Sequence, residues 1–230
     1  MFPGFRGEER TTDIATSGRS HAPVPFVAAT PAPAPAATGH ALETARDVSR
    51  AHHSWRFDTV HSSIHFSVRR MLIGRVAGEF TKWRGTMAFD PAQPEATHLD
   101  VRIDAGSIDT GEAERDAHLR SSDFLHADAH PVLTFESLRV DVVEEGRFAV
   151  TGLLQIRGVT REVVLHATYR GTTRDLWGND HLAFDASTRI ERGAFGLKWN
   201  QVMPTGELFV GESVEITLAI EATRLPVNVA

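Results

Sequence analysis

From Ser54 onward apolar residues recur at every second position, most visibly in SIHFSVRR (Ser63–Arg70). There Ile64, Phe66 and Val68 fall on one side, and His65, Ser67 and Arg69 on the other. The same period returns at Leu99, Val101 and Ile103, at Phe148, Val150, Leu154 and Ile156, and at Val163, Leu165 and Tyr169. It continues at Leu182, Phe184 and Ile190 and at Val214, Ile216, Leu218 and Ile220. Stretches rich in Gly, Pro, Asn and Asp, such as EEGR (Glu144–Arg147) and LWGND (Leu176–Asp180), separate the runs and predict an antiparallel meander. Between Val76 and Phe89 the parity slips from even to odd, which predicts a bulge or bend near Thr81 to Trp83. The apolar faces exceed what a flat sheet could hide, and only one short helix is visible to cover them. Closing the sheet on itself solves both burial and exposed edges. The pattern therefore predicts an all-β fold, an eight-stranded antiparallel barrel with a short helix near one end; a barrel of about eight strands holds packed side chains or one slender ligand.

One stretch breaks the alternation. DTGEAERDAHLRSSDF (Asp109–Phe124) contains good helix formers, with Thr110 as a candidate cap and Glu112 and Glu114 where the helix dipole favours negative charge. At helical spacing Arg115 and Leu119 share a face, Asp116 and Arg120 share another, and His118 pairs best with Arg115. Two readings of this cluster stand side by side. Arg115 and His118 hold a polar head group at a barrel mouth while Asp116 orients them, or Asp116 ion pairs simply pin the helix over the barrel end. A catalytic reading would use His118 as base and Arg115 as anion clamp on a lipid or small carbonyl compound. Ser121 and Ser122 are the only local nucleophiles, and no Gly-x-Ser-x-Gly elbow accompanies them.

Composition narrows the classes. The chain has 230 residues, 41% hydrophobic content and a net charge of -6, so no broad positive field exists to attract nucleic acid. It contains no Cys, which excludes disulfides, thiolate metal sites and cysteine nucleophiles. Twelve His raise the possibility of a metal. No His-Glu-x-x-His appears, however, and His61/His65 and His126/His130 are four apart on a strand and in a loop. No metal site and no resident cofactor is expected. Residues 1–50 include PVPFVAATPAPAPAATGH (Pro23–His40), where Pro and Ala block both helix and sheet, and read as a disordered arm. Acidic residues and prolines interrupt any secretory pattern there, and no run approaches a spanning helix, so a cytoplasmic location without an integral membrane segment is expected.

Smaller motifs point to geometry. Gly85, Gly152 and Gly158 sit in or beside strands; RGVTRE (Arg157–Glu162) reads as a hairpin with Arg157 and Arg161 in solvent. Trp83 and Trp199 read as core aromatics, and ERGAFGLKWN (Glu191–Asn200) as a strand turning into a mouth loop.

Five fragments in register bring a family into view. WRFDTVHSSIHFSVRRMLIGRVAGEF resembles the opening of YceI-like proteins, and IDAGSIDTGEAERDAHLRSSDF is similar to their Arg-Asp-x-His-Leu signature. HPVLTFES, VTGLLQIRGVTREVVL and IERGAFGL follow in the family order. The resemblance covers Ser54 to Arg224. It implies a lipocalin-like barrel whose apolar tunnel holds a polyisoprenoid or similar amphipathic lipid, such as an isoprenoid quinone, a polyprenyl phosphate or a fatty amide. By motif, Arg115, Asp116 and His118 occupy the signature helix and form the polar mouth, while Asp58, His61 and Ser62 lie at the start of the barrel. Alternation, rather than resemblance, supplies the cavity-lining candidates Phe66, Phe80, Ile103, Phe135, Leu154 and Phe184. Where many members carry a histidine after the first alternating strand, this chain has Arg70. Many members are exported. The expected role is carriage or sequestration of lipid without catalysis, and a homodimer through a strand edge stays open.

Overall fold

The computed structural model describes residues 54–71 and 73–226. The expected Pro/Ala-rich arm lies outside the described residues. Among the described residues eleven strands run in chain order: β1 (Ser54–Phe57), β2 (Ser63–Arg70), β3 (Gly74–Phe80), β4 (Trp83–Ala88), β5 (His98–Asp104), β6 (Ile108–Asp109), β7 (Val132–Glu144), β8 (Arg147–Ile156), β9 (Val159–Arg174), β10 (Asp180–Glu191) and β11 (Val210–Arg224). Among the described residues one α-helix, α1 (Ala113–Arg120), follows β6.

These segments fill eight positions in a closed ring. β11 pairs with β1 through Ala222–Arg224 and with β2 through Val210–Ala219, so β1 and β2 are two halves of one interrupted strand. β3 and β4 are likewise halves of the next strand, paired with β2 and β1, and β5 and β6 of the third. From β7 to β11 each strand pairs antiparallel with its successor, and the β1–β11 pairing closes an up-and-down meander. Closure gives both edges of the sheet a backbone partner.

The parity slip is a break rather than a bulge. At Thr81–Lys82 the ladder stops, and Ser107 takes over: its carbonyl accepts from Thr81 N at 3.1 Å and its Oγ from Lys82 N at 3.1 Å. The inward face changes there from even positions (Val76, Phe80) to odd ones (Trp83, Met87). A bulge between Ser137 and Arg139 makes the reverse change in β7, from Phe135 to Val140. At the β8–β9 turn Arg157 and Gly158 both have positive φ, 52° and 75°, the two-residue turn that matches strand twist. Arg157 is half-buried, not free in solvent as expected, because its Nη1 donates to Gly196 O at 3.1 Å.

Two glycines give inward aromatics room. A Cβ on Gly152 would sit 2.4 Å from Phe135 Cζ, and one on Gly78 would sit 2.6 Å from Phe66 Cζ. Each ring approaches the backbone of a neighbouring strand so closely that any side chain at the glycine would collide with it.

Candidate functional site

The inward side chains of the ring do not meet at the centre. They surround a cavity of about 360 Å³ with an almost wholly apolar lining, within the roughly 300–1,000 Å³ range of small-ligand sites. Phe66, Phe80, Ile103, Phe135, Leu154 and Phe184 all face it, each from a different strand. Regular alternation on a closed sheet puts them there.

One end of the cavity is sealed. Phe89, 3% exposed, stands edge-on to Phe184 at 5.0 Å between ring centroids, with Tyr169 at 5.5 Å and Phe148 at 6.2 Å. Trp55 fixes this plug, donating from its indole N–H to Phe89 O at 3.0 Å. The other end is partly polar and is framed by the β2–β3 turn, α1, the β8–β9 turn and the long segment from Arg192 to Phe209.

At this mouth α1 is held differently from expectation. Glu112, not Thr110, caps it, accepting from Glu114 N and from Arg115 N at 2.8 Å. Asp116 is buried and faces away from the cavity, so it is not a mouth-lining residue. Its Oδ1 accepts from Thr110 N at 2.9 Å and from the Thr110 hydroxyl at 2.5 Å. Thr110 in turn accepts from Arg115 Nε at its hydroxyl (2.7 Å) and from Arg115 Nη2 at its carbonyl (2.9 Å). Asp116 thus orients Arg115 through Thr110, and no ion pair of Asp116 pins the helix among the described residues. The reason is spacing: the chain folds back before the helix and brings a threonine nearer than any arginine.

Arg115, His118 and Leu119 line the cavity. His118 does not pair with Arg115; its Nε2 lies 2.9 Å from Asp123 Oδ2, so the ring donates there. The imidazole also stands edge-on to Trp199 at 4.7 Å and Phe124 at 5.0 Å, so Trp199 belongs to the mouth rather than the plain core. Ser121 donates its hydroxyl to His118 O at 2.8 Å, which ends the helix and places no nucleophile on the imidazole. Across the mouth Arg70, also lining the cavity, stacks over the Phe209 ring at 4.7 Å. Asp58, His61 and Ser62 lie at the β1–β2 interruption: Asp58 Oδ2 binds His61 Nδ1 at 2.7 Å, and Ser62 bonds to Glu221. Among the described residues no group of three or more His, Asp or Glu could hold a metal ion.

Sequence reasoning missed Arg192. It is 5% exposed, and its guanidinium donates to the carbonyls of Leu197 (2.6 Å), Gly211 (2.8 Å) and Trp199 (2.9 Å). Burial pulls its pKa below the ordinary guanidinium value. These bonds tie down the segment that carries Trp199 and Phe209. A signal was present: Phe184, Ala186, Thr188 and Ile190 are all inward, and the same even parity carries one more step to an arginine.

A closed up-and-down barrel with an apolar cavity, sealed at one end and polar at the other, defines a lipocalin-like class of binding protein. Comparisons with known proteins sharpen this. The YceI-like domain profile matches residues 55–222, and the chain belongs to that family. A UPF0312 protein of Pseudomonas aeruginosa is 34% identical over 189 residues, 82% of this chain and 95% of that one. A UPF0312 protein of Azotobacter vinelandii is 32% identical over 164 residues, 71% and 82% of the two chains. Among solved structures, Burkholderia cenocepacia BcnA superposes with a TM-score of 0.64 at 24% identity, covering 72% of this chain and 98% of that one. A polyisoprenoid binding domain from Saccharophagus degradans, implicated in plant cell wall breakdown, shares the fold with a TM-score of 0.57 at 14% identity, covering 74% and 98%.

Proposed function

We propose that this barrel binds a polyisoprenoid or similar amphipathic lipid, with the tail in the cavity and the head at the mouth, for transport, storage or sequestration. The observation that carries the reading is the cavity itself: apolar along its length, closed by the Phe89 plug, and bordered by Arg70, Arg115 and His118 at the open end. Tail burial supplies affinity at about 0.8 kcal/mol per methylene before ordering costs. A few polar groups then select the head. The polyisoprenoid-binding description of the Saccharophagus degradans domain, which has the same fold, supports this choice of tail. Native mass spectrometry of gently purified protein should show an added mass that organic extraction removes, and the stripped protein should bind prenols in titration. Protein that carries no added mass and ignores prenols would end the proposal.

A further inference from the structure

Two segments on one side of the mouth expose large apolar side chains that none of the described residues covers. Ile73, in the β2–β3 turn, is 93% exposed, and Val202, in the segment between β10 and β11, is 70% exposed. The backbone brings these segments together. Met71 N donates to Phe209 O at 3.0 Å, Val210 pairs with Arg70, and Val202 bridges Leu208, itself 39% exposed. Scattered exposed apolar residues are ordinary on soluble proteins. Three on adjoining backbone at the entrance of an apolar cavity make a lip.

The same lip is basic. Arg69, Arg70 and Lys198 are exposed and form no ion pair among the described residues, whereas Arg75 and Arg189 on the wall below are both taken up by Glu215. Glu207, in the segment between β10 and β11, and Glu212, in β11, are exposed there as well and form no ion pair among the described residues, whereas Asp123 is engaged by His118 and Glu112 and Glu114 crowd the start of α1. Three free cations thus stand against two free carboxylates on this lip, a small positive excess on a chain whose net charge is -6.

We infer that this lip docks the barrel on an anionic phospholipid surface. Ile73, Val202 and Leu208 enter the headgroup layer, and Arg69, Arg70 and Lys198 face lipid phosphates. The inference rests on the lipid-binding reading and adds the route: a tail passes from bilayer to cavity without exposing its length to water. The acidic start of α1 faces away from the surface, so the barrel docks tilted, on one side of its mouth.

The test is cosedimentation of the full chain with vesicles of phosphatidylcholine and of an equimolar phosphatidylcholine–phosphatidylglycerol mixture, beside titration with geranylgeraniol in solution. Binding should favour the anionic vesicles, weaken with salt, and fall about fivefold for each lip cation neutralised. Ile73→Asp with Val202→Asp should cut vesicle binding by about tenfold or more while geranylgeraniol binding is kept. Leu176 and Trp177, 97% and 84% exposed in the β9–β10 turn at the opposite end, provide the control, and replacing both with Asp should leave vesicle binding intact. Docking by the lip is overturned if the Ile73/Val202 variant still sediments, if the Leu176/Trp177 variant does not, or if the wild type prefers neither vesicle. Failure to bind geranylgeraniol would instead strike the lipid-binding reading, and the vesicle arm is scored independently of it.

Discussion

Ala186 faces Ala167 across the β9–β10 ladder, and both small side chains line the cavity. A large residue at 186 would therefore enter the lumen and displace no packed neighbour. Its depth sets the expected effect. Phe184 belongs to the aromatic plug, whereas Ile190 lies towards the mouth on the same strand. At about 3.3 Å per residue the stretch from plug to Ile190 is about 20 Å, of which about 7 Å lies beyond Ala186. An extended chain covers about 3.3–3.6 Å in three bonds, so that depth holds about six chain carbons. At about 0.8 kcal/mol each, Ala186→Trp removes up to about 5 kcal/mol of tail burial; coiling of the tail in the remaining space reduces the net to about 3–4 kcal/mol. The Kd of a long tail should then rise by about 10²- to 10³-fold. The assay is titration with prenols of increasing length. Wild type should gain affinity until the channel is full, while Ala186→Trp should reach its plateau about six carbons earlier and bind the shortest prenols equally well. Ser187→Trp, on the exposed outer face of the same strand, should follow wild type. If length dependence is identical in wild type and Ala186→Trp, the tail does not run from mouth to plug and the reasoning fails.

Three further outcomes follow from the mouth and the outer wall. Asp116→Ala leaves two Thr110 donors without their acceptor and frees Arg115; it should cost about 2–3 kcal/mol, read as a lower urea midpoint at unchanged slope. Arg192→Met strips donors from the Leu197, Gly211 and Trp199 carbonyls. Limited proteolysis should then cut between residues 197 and 209 first, at a rate at least about tenfold that of wild type, and equal rates would show that Arg192 does not hold the segment. Hydrogen bonds first from Arg75 and then from Arg189 hold the Glu215 carboxyl down to about 2, from an ordinary value of 4.5. A carboxyl depressed in the folded state stabilises above its unfolded pKa, and that contribution fades as pH falls through the folded value. The Tm curves of wild type and Glu215→Gln should accordingly separate above about pH 4.5 and converge towards pH 2, with a gap that shrinks in salt because both arginines are exposed and Glu215 is only half-buried.

The barrel was legible because its signal is local. A period of two, repeated from Ile64 to Ile220, states which side chains share a face, and the total apolar area demanded closure. For the same reason the six alternation-derived residues all face the cavity. The helix was legible from its composition, but its bonding was not. Whether Asp116 meets an arginine or Thr110, and whether His118 meets Arg115 or Asp123, depends on how the chain turns on either side of α1. Helical spacing carries no information about those turns. The break at Thr81 was visible only as a change of parity, because the group that compensates it, Ser107, arrives from another strand pair.

Sequence by itself determined the strand pattern, the inward faces and the family, since each is written in the order of residues along one chain segment. Tertiary structure alone decided that the lumen stays open above Phe89, that Arg192 is spent on the backbone carbonyls of Leu197, Trp199, Val210 and Gly211, and that the segments carrying Ile73 and Val202 are joined at the mouth. Those outcomes turn on distances between segments far apart in sequence. Closing the ring sets such distances all at once, through the register of every strand pair, and no single stretch of the chain encodes them.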